Sequence, residues 1–232
     1  LRLHPFRAEA NRQFRVGIIG LGVGTLAAYA NSTVSPDSAN RYYVKKRQHI
    51  VPDYMRFYEL NPLVSDWAEN KFSFLNDARE RGADVEVLMG DARLVLERQL
   101  AQGKNQNFDV FILDAFSSDS IPLHLLTKEA LDIYWRHLGE DGVLALHVSN
   151  RFLDIKPVVR RLALEMKKEL IYTKNKTRNR RSVSGASWMI MSNNKGFMSL
   201  KEVHKYERKL PALGPLWTDD FSSLFDVLKP GH

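Results

Sequence analysis

The apolar run Arg15-Val16-Gly17-Ile18-Ile19 enters, without a spacer, the turn Gly20-Leu21-Gly22-Val23-Gly24-Thr25 and then the helix-forming residues Leu26-Ala27-Ala28-Tyr29. Glycines at alternate positions remove side chains where the chain must turn tightly and where a ligand can approach the backbone. A strand that feeds such a turn opens a parallel α/β sheet, and the rest of the sequence keeps that rhythm. Short apolar runs recur at Val16–Ile19, Met55–Glu59, Val85–Met89, Val110–Asp114, Val143–Val148, Leu170–Thr173 and Trp188–Met191, which predicts seven strands. Leu131, Tyr134, Trp135 and Leu138 form one stripe of a helix predicted from Thr127 to Leu138, and a second helix is predicted from Pro157 to Leu170. Thr127 can cap the first of these, Glu129 favours its first turn, and Gly139-Glu140-Asp141-Gly142 is a turn signal at its end.

Open α/β sheets bind ligands beyond the carboxyl ends of their strands, so acids just past strand ends are candidate site residues. Gly20, Gly22 and Gly24 form the candidate cofactor loop, and Glu59, in Phe57-Tyr58-Glu59-Leu60-Asn61-Pro62, is placed to accept hydrogen bonds from ribose hydroxyls. The span from Gly24 to Glu59 exceeds the usual ~20 residues; an aperiodic insertion over residues 31–54 accounts for the excess. Asp91, in Gly90-Asp91-Ala92-Arg93, has two compatible readings: a helix cap, or a carboxylate that reaches the exocyclic amine of adenine. Asp114 stands at the tip of Phe108-Asp109-Val110-Phe111-Ile112-Leu113-Asp114 and is the first catalytic candidate, with a loop-capping aspartate as its structural alternative. Asp119 nearby, with Asp219 and Asp220 in the C-terminal segment, suggests a carboxylate-lined pocket for a cationic substrate. His147, alone in Leu146-His147-Val148-Ser149-Asn150, reads as a hydrogen-bonded structural residue rather than a base or a metal ligand.

With 232 residues the chain suits a single domain, and none of its apolar stretches approaches the ~20 residues that cross a bilayer. It contains no cysteine, which excludes disulfides and thiolate chemistry and suits the cytoplasm; no metal is expected. The formal charge of +7 is partly local, with Lys174, Lys176, Arg178, Arg180 and Arg181 in one stretch and Arg41, Lys45, Lys46 and Arg47 in another. Apart from Tyr42 and Tyr43 in the second, neither stretch interleaves aromatics as a base-stacking surface would, so solvated loops are expected and nucleic acid is not. Residues 211–232, with Pro211, Gly214 and Pro215, read as a C-terminal cap or arm. A start at Leu1 with no signal-peptide pattern reads as a fragment of a longer protein.

Taken in order, the motifs around Gly20–Gly24, Glu59, Asp91 and Asp114, with Ala115-Phe116-Ser117-Ser118-Asp119-Ser120-Ile121-Pro122 and His147-Val148-Ser149-Asn150-Arg151, resemble the spermidine synthase (polyamine aminopropyltransferase) family. The wording is most similar to the spermidine-synthase-like domains fused to membrane-spanning segments in bacteria. The resemblance covers roughly residues 15–150, with a weaker echo near Trp217 to Phe221. It implies a Rossmann-like class I S-adenosylmethionine-dependent methyltransferase fold: a seven-stranded, mostly parallel sheet with its last strand antiparallel. It also implies transfer of an aminopropyl group from decarboxylated S-adenosylmethionine to a small cationic amine, a homo-oligomer, and in the full-length protein a membrane-spanning segment. Asp114 then matches the proton-accepting aspartate, Glu59 the ribose ligand and Asp91, followed by Ala92, the adenine site. The sequence departs from the family at Val23, where an aspartate usually grips the aminopropyl amine, and at Ala115-Phe116, which separates Asp114 from Asp119. With only the residues before Arg15 preceding the first predicted strand, the family's small N-terminal β-rich domain is not expected within these 232 residues. A methyltransferase using intact S-adenosylmethionine, and a non-catalytic nucleoside or polyamine sensor, are the alternative readings.

Overall fold

All six residues of β4 (Phe108–Leu113) are buried, so both of its faces must be covered and it must sit within the sheet. In the computed structural model, which describes residues 12–30, 51–115, 122–175 and 185–229, β4 lies between β1 (Arg15–Ile19) and β5 (Leu138–His147), parallel to both. On the far side of β1 stand β2 (Tyr54–Glu59) and then β3 (Asp84–Met89), also parallel. Beyond β5 comes β7 (Ser187–Ser192), antiparallel to β5 and to its other neighbour β6 (Glu169–Lys174). The sheet has eight strands rather than the expected seven, in the order β3-β2-β1-β4-β5-β7-β6-β8. The additional strand, β8 (Glu207–Arg208), is an exposed edge pair against Tyr172 and Thr173, too short to carry any periodic signal.

Helices cover both faces. On one, α3 (Ala92–Ala101), α4 (Lys128–His137) and α5 (Lys156–Glu165) bury Leu96, Leu131, Tyr134, Val158 and Leu162 against the strands. On the other, α1 (Pro62–Asn70) and α2 (Phe74–Glu80) contribute Ala68, Leu75 and Ala78. The short α6 (Lys195–Met198) and α7 (Lys201–His204) add Phe197, Met198 and Val203 to that face. Asn61, Asp91 and Thr127 cap α1, α3 and α4 by accepting from the amides of Leu63, Leu94 and Ala130, each cap worth about 1 kcal/mol.

Three local expectations are revised. The second predicted helix ends at Glu165 and not at Leu170, because Lys167 takes the left-handed conformation (φ 53°) and the Lys168 amide turns back onto the Ala163 carbonyl at 2.9 Å. The Gly139–Gly142 turn signal lies inside β5, where the register jumps from Phe108↔Leu138 to Val110↔Val143 and the extra residues form a bulge. Tyr54, placed at the end of the insertion, is the first residue of β2; residues 31–50 lie outside the described residues. The C-terminal segment packs on the helical layer through the fully buried Trp217, whose carbonyl accepts from the Lys128 amide at 2.9 Å, and through a bridge between Leu153 and Leu228.

Two buried polar groups tie the sheet to its surroundings. The Asp109 carboxylate accepts from the Arg15 amide (2.8 Å) and pairs with the Arg12 guanidinium, fastening the start of β1 to β4. His137, with no exposed surface, accepts from the Gln106 amide at Nδ1 (3.3 Å) and donates from Nε2 to the Leu96 carbonyl (3.0 Å). Burial holds its pKa below the ordinary histidine value. The unfolded chain binds that proton near pH ~6.5, so His137 contributes stability fully above this pH and loses it as the pH falls toward the folded value. Urea midpoints should therefore drop more between pH 7.5 and pH 5 in the native protein than in His137→Gln; equal drops would show that the site carries no linkage.

Candidate active site

The strand order reverses direction at β1, which has β2 on one side and β4 on the other, and the carboxyl ends of these strands frame the crevice where such sheets hold ligands. Backbone bonds fix the loops there: the Gly20 amide donates to the Tyr58 carbonyl, the Asp114 amide to Ile19, and the Gly90 amide to Glu59, each at 2.9 Å. Gly20, Gly22 and Gly24 all have positive φ (95°, 53° and 80°). The helix after them is a single 3-10 stretch, Thr25–Tyr29, rather than a long α-helix. Gly20 packs directly on the backbone of Asp114, whereas Gly22 is exposed with open space where a side chain would stand.

Glu59 clamps this loop. Its Oε2 accepts from the Leu21 amide (3.0 Å) and its Oε1 from the Asn61 amide (2.8 Å), so one carboxylate orients both the glycine turn and the entry to α1. Asp91 caps α3 through Oδ1, which accepts from Leu94 at 3.0 Å, and its Oδ2 accepts from His124 Nε2 at 2.8 Å. Partial burial opposes its charge, but the Leu94 amide and His124 together hold its carboxyl below the usual range. Ala92, next to it, is buried at the first position of α3.

Asp114 follows β4 and is partly exposed; its Oδ1 accepts from His147 Nδ1 at 2.7 Å. The structure thus brings together the glycine loop, Glu59, Asp91 and Asp114 along one edge of the sheet. The C-terminal acids are placed differently. Asp219, expected to line a substrate pocket, is paired with the Arg93 guanidinium (Nη1 to Oδ1 2.7 Å) and accepts from Thr127 Oγ1 at 2.8 Å, and its amide donates to Glu129 (2.9 Å). The Arg93 bonds hold its carboxyl below the usual range. These bonds fasten the C-terminal segment to α3 and α4. Asp220 is exposed beside it, and Asp119 lies outside the described residues. Sequence reasoning gave His147 a structural role and missed its contact with Asp114. The only available signal was that both residues directly follow paired positions, Leu113 and Leu146, of adjacent strands. Among the described residues, no group of three or more acids and histidines could hold a metal ion, and no helix is long and apolar enough to cross a membrane.

The sheet order, the antiparallel β7 and the glycine loop define a Rossmann-like domain of the class I S-adenosylmethionine-dependent methyltransferase fold. The fold is similar to that of human methyltransferase-like protein 13 in complex with SAH (TM-score 0.56, 13% identity, covering 90% of each chain). Within that class the chain resembles the spermidine synthase family. It is 34% identical over 138 residues to the polyamine aminopropyltransferase of Vibrio vulnificus, a match that covers 60% of this chain and 38% of that relative. A spermidine synthase in complex with the transition-state analogue AdoDATO is similar in fold (TM-score 0.53, 18% identity, covering 94% of this chain and 65% of that one). The spermidine synthase of Thermotoga maritima gives a TM-score of 0.50 at 16% identity, covering 94% of this chain and 64% of that one. No family model matches the chain.

Proposed function

We propose that this domain is the catalytic unit of an aminopropyltransferase-like enzyme, transferring the aminopropyl group of decarboxylated S-adenosylmethionine to a small cationic amine. The observation that carries this reading is the position of Asp114, a carboxylate just beyond the central strand whose backbone packs on the first glycine of the loop. The amine lone pair attacks the aminopropyl carbon next to the sulfonium. A C–N bond forms, the C–S electron pair passes to sulfur, and neutral methylthioadenosine leaves. Aliphatic amines titrate near pH ~10 and are almost wholly protonated at pH 7, so the nucleophile must shed a proton, and Asp114 is the group that takes it. The similarity to a polyamine aminopropyltransferase supports the same chemistry.

Glu59 and the glycine loop hold the ribose side, and Asp91 meets the adenine amine. Each carboxylate already accepts protein bonds, yet an ionised carboxylate has about four lone-pair sites, so a ligand bond adds to these rather than displacing them. Incubation of the protein with decarboxylated cofactor and putrescine, agmatine, cadaverine or spermidine should release methylthioadenosine with at least one amine; no product with any of the four sinks the proposal. Val23 favours a second reading, methyl transfer from intact S-adenosylmethionine, because the loop offers no acid to an aminopropyl ammonium. Calorimetric titration with both cofactors separates the two: tighter binding of the carboxylated form selects methyl transfer.

A further inference from the structure

His147 ends β5 and Asp114 follows β4, and the parallel register Leu113↔Leu146 sets the two side by side. Their 2.7 Å contact joins Nδ1 to Oδ1. An ionised carboxylate only accepts, so Nδ1 carries the hydrogen and, in the neutral ring, Nε2 is the bare nitrogen. Nε2 is buried and has no hydrogen-bond partner among the described residues. The ring stacks on the indole of Trp188, its cross-strand partner in β7, with centroids 4.8 Å apart and planes at 24°. One edge of the imidazole is therefore fixed by Asp114 and one face by Trp188.

We infer that His147 is a positioning residue for Asp114: its Nδ1–H engages Oδ1 and holds the carboxylate so that Oδ2, which accepts no protein hydrogen bond among the described residues, faces the incoming amine. The inference rests on the reading of Asp114 as the proton acceptor. Among the described residues the buried Nε2 meets no acceptor or donor that could relay a proton, so the proton taken from the amine stays on Asp114 and the imidazole keeps its own. This distinguishes His147 from a general base, which would need a free nitrogen within reach of the substrate. It also explains why a histidine at the carboxyl end of β5 is stacked on Trp188 with its Nε2 buried instead of solvated.

The test compares His147→Leu, which keeps the packing on Trp188 but has no donor, with His147→Asn, whose amide nitrogen stands as many bonds from the backbone as Nδ1. His147→Leu should lower kcat about 10- to 100-fold, the usual effect of losing a group that orients a functional side chain. The KM for the amine and the affinity for methylthioadenosine should change less than threefold, roughly the spread expected when binding is untouched. His147→Asn should recover most of kcat. Nitrogen-15 spectra of the histidine-labelled protein should show His147 as the Nδ1–H tautomer, and that signature should disappear in Asp114→Ala. A fully active His147→Leu, an Asn variant no better than Leu, or an Nε2–H tautomer overturns the assignment. The spectra decide the pairing even if the native protein makes no methylthioadenosine, or if His147→Leu fails to fold; absence of product counts against the proposed activity and not against the pairing.

Discussion

Asp114→Asn should cut turnover by about 10²- to 10⁴-fold, the range for loss of a positioned proton acceptor, while leaving the fold and cofactor affinity close to native. The loss corresponds to about 3 to 5.5 kcal/mol of barrier. The substitution is nearly isosteric, and the carboxamide oxygen can still accept from His147 Nδ1, which now sits at 2.7 Å from Oδ1. The backbone bond from the Asp114 amide to the Ile19 carbonyl is untouched. What disappears is the capacity to take a proton, because an amide does not ionise near neutral pH and its second terminus is a donor. Single-turnover release of methylthioadenosine from decarboxylated cofactor and the best amine measures the chemical step directly. A rate within threefold of native, with unchanged thermal stability, would show that this carboxylate is not the base.

The parts of this site that were legible in the sequence are those whose geometry is local. An apolar strand running into glycines fixes where the loop stands, and acids at a strand's carboxyl end or within two residues of it need only the strand assignment to be placed. Glu59, Asp91 and Asp114 are of this kind, as is the Thr127 cap. What stayed hidden depends on pairings between distant segments. The His147 to Asp114 bond exists because β5 lies beside β4 in a particular register, and a solitary histidine carries no mark of its neighbour. The ion pair of Asp219 stayed hidden likewise, because Arg93, far away in the sequence, gives no sign of reaching it. The left-handed Lys167, with the Lys168 amide turned back onto the Ala163 carbonyl, ends a helix that residue type alone would have continued, since lysine is a good helix former.

The two ends of the glycine loop make different demands, and substitution should separate them. A Cβ built on Gly20 would stand 2.5 Å from the Asp114 carbonyl oxygen, 2.9 Å from its carbon and 3.1 Å from the Ala115 nitrogen. These atoms are backbone and cannot swing aside as a side-chain tip would. The φ of 95° adds a conformation that alanine resists. Gly20→Ala should therefore cost about 2 to 4 kcal/mol of stability, as expected where backbone strain and overlap combine. It should also weaken nucleoside binding, since relief requires either the loop to leave its bond with Glu59 or Asp114 to move off the end of β4. At Gly22 nothing lies within 4 Å of the added carbon, so only the left-handed conformation is penalised, at about 1 to 2 kcal/mol. A ligand lying against the loop would nevertheless meet the new methyl group. Urea unfolding and calorimetric titration with methylthioadenosine, run on both variants, should show a large stability loss for Gly20→Ala. For Gly22→Ala they should show a modest stability loss with affinity reduced about tenfold or more, the equivalent of one lost contact of about 1.4 kcal/mol. If Gly22→Ala binds the nucleoside as tightly as the native protein, the ligand does not lie against this loop, and the glycines serve the turn and the close packing of β1 on β4 alone.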